Sequence, residues 1–222
     1  MSKYTDPNFD QCAVITIDTQ NDFSLPGAVA EIEGTFEALP QMKRILDACR
    51  SRQIPILHVI RLYKADGTNA DICRRERIEA GGQIVTPGSS GADLVEIIKP
   101  ENGDKLNEEQ LLEGAMQLIA DQEWVMYKPR WGAFYQTHLE EFLRKKNIDT
   151  LLFIGCNFPN CPRTSIYQAS ERDFKAVMVE DAISGVYEKG IREIENIGVK
   201  VMKTEEILAQ LADRLAERSS LS

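Results

Sequence analysis

Three residues in this sequence carry side chains that can act on one reacting carbon, although they stand far apart. They are Asp18 in IDTQNDF, Lys128 closing WVMYK, and Cys161 in GCNFPNCPRT. A thiol attacks a carbonyl as the thiolate, a form favoured by a helix N-terminus or a neighbouring cation. Pro162 follows Cys161, and proline is favoured at the start of a helix. The order predicts Cys161 as the N-cap, with its sulfur facing the positive helix end. Lys128 supplies the cation, and Asp18 supplies a carboxylate that takes the thiol proton and returns it to a leaving amine. Free backbone N–H groups around Cys161 are suited to an oxyanion. Singly, each residue has a blander use: a helix cap for Asp18, a solvated charge for Lys128, a small buried hydrophobe for Cys161. Jointly they point to a cysteine-dependent hydrolase acting on a small acyl or amide substrate.

These groups meet only if the chain brings several strand ends together. Apolar runs at Cys12–Ile17 (CAVITI), Ile56–Ile60 (ILHVI), Trp124–Tyr127, Leu151–Ile154, Ala176–Val179 and Val199–Met202 read as strands. Helical spacing falls between them: Met42, Ile45, Leu46 and Cys49; Leu139, Phe142 and Leu143; and, last, Ile207, Leu208, Leu211 and Leu215. Strands apolar on both faces and alternating with helices predict a parallel sheet covered on each side. Such a sheet binds ligands beyond the carboxyl ends of its strands. That places Asp18, Arg61, Lys128 and the loop after Gly155 at one rim. The segment Lys64–Pro100 is long, charged and glycine-rich, and Glu108–Asp121 is expected as an added helix using Leu111, Leu112, Ala115, Leu118 and Ile119. Residues 1–222 thus read as one domain, with a lid or interface segment at about 64–123.

Composition narrows the function classes. A net charge of −9 disfavours nucleic acid or an anionic membrane as partner. Met1–Asp10 is polar and no apolar run approaches the roughly 20 residues of a membrane span. The five cysteines, an odd number without framework spacing, read as reduced thiols of a cytoplasmic protein. Only two histidines, His58 and His138, and the absence of a CxxC pair argue against zinc. No GxGxxG follows CAVITI, so a dinucleotide site is not expected.

The blocks VITIDTQNDF (Val14–Phe23), YKPRWGAF (Tyr127–Phe134) and GCNFPNCPRTSIYQASERDF (Gly155–Phe174), followed by VMVEDAISG, resemble the isochorismatase-like cysteine hydrolases. The resemblance runs from about Cys12 to Met202, with all three blocks in the family's order. It implies a three-layer α/β/α fold around a mostly parallel six-stranded sheet. It implies an Asp–Lys–Cys triad on Asp18, Lys128 and Cys161, a thioacyl intermediate, and neither cofactor nor metal. It also implies a cis peptide between Cys156 and Asn157, with the N–H groups of Asn157 and Cys161 as oxyanion hole. This chain departs from the pattern at Asn157 and Phe158, where relatives commonly carry a small residue and threonine, and at Pro162, where they carry valine.

Nicotinamidases of the family carry an Asp–x–His…His metal cluster near the second strand. LHVIRLYKADG has His58 alone, which reads as a core residue. Isochorismate hydrolysis does not need the thiol, so the presence of Cys161 points to cleavage of a C–N bond in an amide, ureide or carbamoyl compound. A vinyl-ether hydrolase and a thiol-redox protein using Cys156 and Cys161 are the alternatives. Phe23, Arg61, Trp131 and Phe158 are candidate substrate contacts, with Arg130 and Arg163 as further cations near the rim. The resemblance further implies a homo-oligomer, dimer or tetramer.

Overall fold

Burial shows why the apolar runs become central strands. Every residue of β1 (Cys12–Ile17), β2 (Ile56–Ile60) and β5 (Thr150–Gly155) is buried, as expected where both faces of a parallel sheet are covered. The structure, a computed structural model, describes residues 3–220 and side chains as far as residue 212. Residues 1, 2, 221 and 222 and the Leu215 side chain lie outside the described residues.

The sheet has seven strands in the order β3-β4-β2-β1-β5-β6-β7, completed by β3 (Met116–Ala120), β4 (Glu123–Tyr127), β6 (Lys175–Ile183) and β7 (Lys200–Met202). All neighbouring pairs are parallel except β3 with β4. Period-two alternation splits the core. Val14, Leu152 and Ile154 face a layer with Met42, Ile45, Leu46, Ile207 and Leu211, from α2 (Thr35–Arg50) and α8 (Thr204–Ser220). Ile15, Ile17, Leu151 and Phe153 face the opposite layer. There α5 (Leu139–Lys145), α6 (Cys161–Ser170) and α7 (Glu188–Glu195) contribute Leu139, Leu143, Ile166, Ala169 and Ile194. This is the expected three-layer α/β/α architecture with one strand more than expected.

The extra strand corrects the reading of Glu108–Asp121 as a helix. Helical structure is confined to α4 (Glu108–Leu112). Gly114, at φ +94°, then takes the chain out of the helical region and into β3. Leu118, assigned to a buried helix face, is 53% exposed, because an edge strand offers only one face to the core.

Residues 64–100 are sewn to the body. They contain α3 (Ile72–Glu79) and dock on the short helix α1 (Asn21–Ser24) that follows β1. Gln20 bridges to Leu94, Asn21 N–H donates to Asp93 O at 2.9 Å, and Asn21 Nδ2 donates to Ser90 O at 2.7 Å. Asp22 Oδ2 accepts from Val85 N–H at 2.6 Å.

Candidate active site

β1 lies between β2 and β5, so connections leave it on both sides and open a crevice at its carboxyl end. Asp18, Lys128 and Cys156 each stand one residue past a strand and extend its ladder. Asp18 N–H donates to Val59 O at 2.9 Å, Lys128 N–H to Ile60 O at 3.0 Å, and Cys156 N–H to Ile17 O at 2.9 Å. Asp18 adopts φ +53°, a left-handed conformation that Asp and Asn tolerate better than most residues. The Cys156 thiol donates to the Asp18 carbonyl at 3.1 Å, tying the β5 exit to the β1 exit.

Lys128 Nζ lies 2.9 Å from Asp18 Oδ2, with the lysine fully buried and the aspartate nearly so. Asp18 Oδ1 is buried with no hydrogen-bond partner among the described residues. An acceptor left open in this way normally has a function or a missing partner. Asp18 and Cys161 share a cavity with Phe23, Ile32, Arg61, Tyr63, Arg74, Trp131, Cys156, Asn157 and Asn160. Its free volume is only about 20 Å³, room for about one water. The peptide between Cys156 and Asn157 is cis, as the resemblance implies. No described residue accepts a hydrogen bond from the backbone N–H of Asn157 or Cys161.

Cys161 is the first residue of α6 and Asn160 is the N-cap, one position earlier than the sequence suggests. The shift arises because Thr164 N–H closes on Asn160 O at 3.0 Å. Burial first, and then the Asp18 carboxylate, push the Cys161 thiol up to about 12 against the opposing Lys128 and Arg61. The resting site therefore pairs a protonated thiol with a carboxylate that has one oxygen open.

Of the proposed substrate contacts, Phe23, Arg61 and Trp131 line the cavity. Phe158 does not; it is fully buried beneath the loop, edge-on to Tyr187 with ring centroids 5.6 Å apart. A Cβ at Gly190 would lie 2.4 Å from the Phe158 ring, so the ring fills the groove that this glycine leaves. Arg163 is spent on Glu193 and on the Tyr187 hydroxyl at 2.5 Å. Arg130 donates to the carbonyls of Asn69 and Pro129, away from the cavity walls.

Sequence reasoning missed Gln20, Tyr63, Asp71 and Arg74. Gln20 clamps the Arg61 backbone, accepting from its N–H at 2.8 Å and donating to its carbonyl at 2.7 Å. The Arg61 guanidinium is paired with buried Asp71, donates to the Tyr63 hydroxyl and reaches Lys128 O at 3.1 Å. Ser165 Oγ accepts from Ala133 N–H at 3.0 Å and Gln168 Oε1 from Phe134 N–H at 3.0 Å. The RWGAF stretch thereby lies along α6 and fixes Trp131 relative to Cys161. The second half of the IDTQNDF signature carried the signal for the long segment's docking.

The family model for the isochorismatase domain matches residues 12–206. The chain belongs to the isochorismatase family. An isochorismatase family protein of known structure from Desulfovibrio vulgaris superposes with a TM-score of 0.76 at 33% identity, covering 93% of this chain and 98% of that one. A probable inactive nicotinamidase from Arabidopsis thaliana is 29% identical over 207 residues, 90% of this chain and 96% of its own length. An N-carbamoylsarcosine amidase from an Arthrobacter species is 26% identical over 207 residues, 90% of this chain and 70% of its own.

Within this isochorismatase domain, no group of three or more His, Cys, Asp or Glu side chains among the described residues is placed to hold a metal ion. His58 is fully buried between Thr16 Oγ1 at 2.8 Å and Glu123 Oε1 at 2.7 Å. No described helix is long and apolar enough to cross a membrane.

Proposed function

We propose that this isochorismatase-family protein hydrolyses a C–N bond of a small amide, ureido or carbamoyl compound through a thioacyl-enzyme. The observation that carries the reading is the divided role of Asp18: Lys128 holds one carboxylate oxygen, and the other faces no partner beside a protonated thiol. An acceptor in that state suits a general base in the attacking step.

In this mechanism Asp18 Oδ1 takes the Cys161 proton as Sγ bonds to the substrate carbonyl carbon. The carbonyl oxygen gains the electron pair and is met by the N–H groups of Asn157 and Cys161. Collapse of the adduct breaks the C–N bond, and Asp18 gives its proton to the departing nitrogen. Water then attacks the thioester, losing a proton to Asp18. Collapse expels the sulfur, which recovers that proton as the product acid leaves. Lys128 holds Asp18 Oδ2 and so fixes the rotamer that leaves Oδ1 for the proton transfers. The activities named for relatives such as the N-carbamoylsarcosine amidase support a C–N substrate.

The test is ammonia release from a panel of small amides, ureides and carbamoyl compounds, run beside Cys161→Ala, with intact mass after rapid acid quench. Turnover should fall by at least about 10³-fold in the variant, and the wild type should carry an acyl adduct on Cys161. Turnover that survives Cys161→Ala would remove the mechanism.

A further inference from the structure

Charge in the cavity does not balance, and the imbalance lies on one residue. Lys128 is matched by Asp18 and Arg61 by Asp71. Cys161 holds its proton. Arg74 lines the same cavity, half-buried, with its guanidinium carbon 5.4 Å from the Phe23 ring centroid. Among the described residues it makes neither an ion pair nor a side-chain hydrogen bond. A half-buried guanidinium seated over an aromatic ring, with its N–H groups free of protein acceptors, is available to a ligand's carboxylate.

Its placement is built in. Arg74 is three residues after Asp71 on α3, and positions i and i+3 share a helix face. Asp71 is the N-cap of α3 but does not cap it with its side chain; the carboxylate instead binds Arg61 and accepts from the Tyr63 hydroxyl at 2.7 Å. The contact that neutralises Arg61 therefore also anchors α3 and presents Arg74 to the cavity. Arg61 has most of its donors engaged, whereas the fork of Arg74 is open. Forked N–H groups match a carboxylate in geometry and charge.

We propose that Arg74 is the specificity-determining residue of the site and binds a substrate carboxylate. The scissile bond then belongs to a small amide, carbamoyl or ureido acid. This rests on the C–N hydrolase reading above, and it adds the acid group and the residue that selects it. On a chain of net charge −9, an unneutralised cation at the cavity also draws an anionic substrate against the general repulsion. An acid bound in the reverse sense would set its carboxylate against Asp18.

Two probes test this without a known substrate. The first is alkylation of Cys161 by iodoacetate and by iodoacetamide, followed by peptide mass spectrometry in a Cys73→Ser background, because the exposed Cys73 would also react. Both reagents meet the same thiol, so the ratio of their rates cancels its ionisation. Arg74→Gln should lower the iodoacetate-to-iodoacetamide ratio by about 10- to 100-fold, the worth of a charged hydrogen bond. Arg74→Lys should recover part of it. The second probe is calorimetric binding of succinate and of its neutral diamide. Wild type should prefer succinate, and Arg74→Gln should lose the preference while its melting curve stays within a few degrees. An unchanged reagent ratio, or equal succinate binding in both proteins, overturns the assignment. A Cys161 inert to both reagents, with succinate binding lost in Arg74→Gln, would uphold the carboxylate site and refute the nucleophile. Turnover of neutral amides in preference to acids, with Cys161 essential, would refute Arg74 and leave the hydrolase reading standing.

Discussion

Lys128 donates to one carboxylate oxygen of Asp18 at 2.9 Å across 110 residues of sequence, and leaves the other oxygen unpartnered. The pair is buried, and neither charge is an incidental surface feature. Each residue is the next rung beyond its strand, so the sheet itself sets their separation.

Removing one partner should therefore be worse than removing both. Lys128→Met strands a buried carboxylate, at a cost of about 3–5 kcal/mol. The double variant Asp18→Asn with Lys128→Met should recover most of that stability without recovering hydrolysis. Urea unfolding of the two single variants and the double one decides the point. A double variant as unstable as Lys128→Met would show that the pair is not coupled as the geometry indicates.

The raised Cys161 thiol sets an alkaline limit. The unfolded thiol ionises near pH 9, whereas the folded one, desolvated and beside Asp18, keeps its proton to about 12. Between those values the native state binds more protons than the unfolded chain, so stability is full below about pH 9 and falls as pH rises. Burial also raises Cys49 and Cys156, in the same direction. The urea midpoint should be flat from pH 7 to about 8.5 and decline above it, less steeply in Cys161→Ala. Iodoacetamide labelling of Cys161 should rise about tenfold per pH unit with no plateau below pH 10. A plateau near pH 8 would mean a stabilised thiolate and a different resting state.

Strand identity was legible because both-face burial writes continuous apolar runs, and the candidate residues were legible because Asp18 and Lys128 each follow such a run and Cys161 opens the helix after another. The edge strand β3 was not legible. Leu111, Leu112, Ala115, Leu118 and Ile119 fit a helical period by coincidence, but the conformational break at Gly114 separates Leu111 and Leu112 of α4 from Leu118 and Ile119 of β3. The loop sequence left Phe158 either as a cavity wall or as packing beneath the loop, and only the cleft above Gly190 selects the packing role. Arg74 carried no signal at all. Its importance comes from charges cancelling elsewhere, which depends on three-dimensional pairing.

Acid stability should depend on Glu123. Burial alone would raise its carboxyl, but hydrogen bonds from Arg50 and His58 win and hold it at about 2. An unfolded glutamate titrates near 4.3, so the stabilisation is present above that pH and is lost as pH falls towards 2. It amounts to about 3 kcal/mol. Glu123→Gln should lower stability at pH 7 and flatten the loss between pH 5 and 3, as read from urea midpoints. An acid limb as steep as that of wild type would place the titrating group elsewhere.

Gly155 should tolerate no side chain. It stands at φ +121°, and a Cβ there would meet Ile17 O at 2.3 Å and Ile17 N at 2.6 Å. Both atoms are backbone of the central strand, which cannot yield without moving the ladder. The same corner holds the bond from Cys156 N–H to Ile17 O, and the Cys156 thiol in turn holds the Asp18 carbonyl. Gly155→Ala should cost about 3 kcal/mol or more, lowering the melting temperature by roughly 6–12 °C. Gly81 is the control: it too has positive φ, +92°, but nothing lies within 4 Å of a Cβ there. Gly81→Ala should cost only the backbone strain, about 1 kcal/mol. Calorimetric melts of both variants, with Cys161 labelling alongside, separate strain from collision. If the two variants melt together and Gly155→Ala labels like wild type, the close approach of β5 to β1 does not position the site.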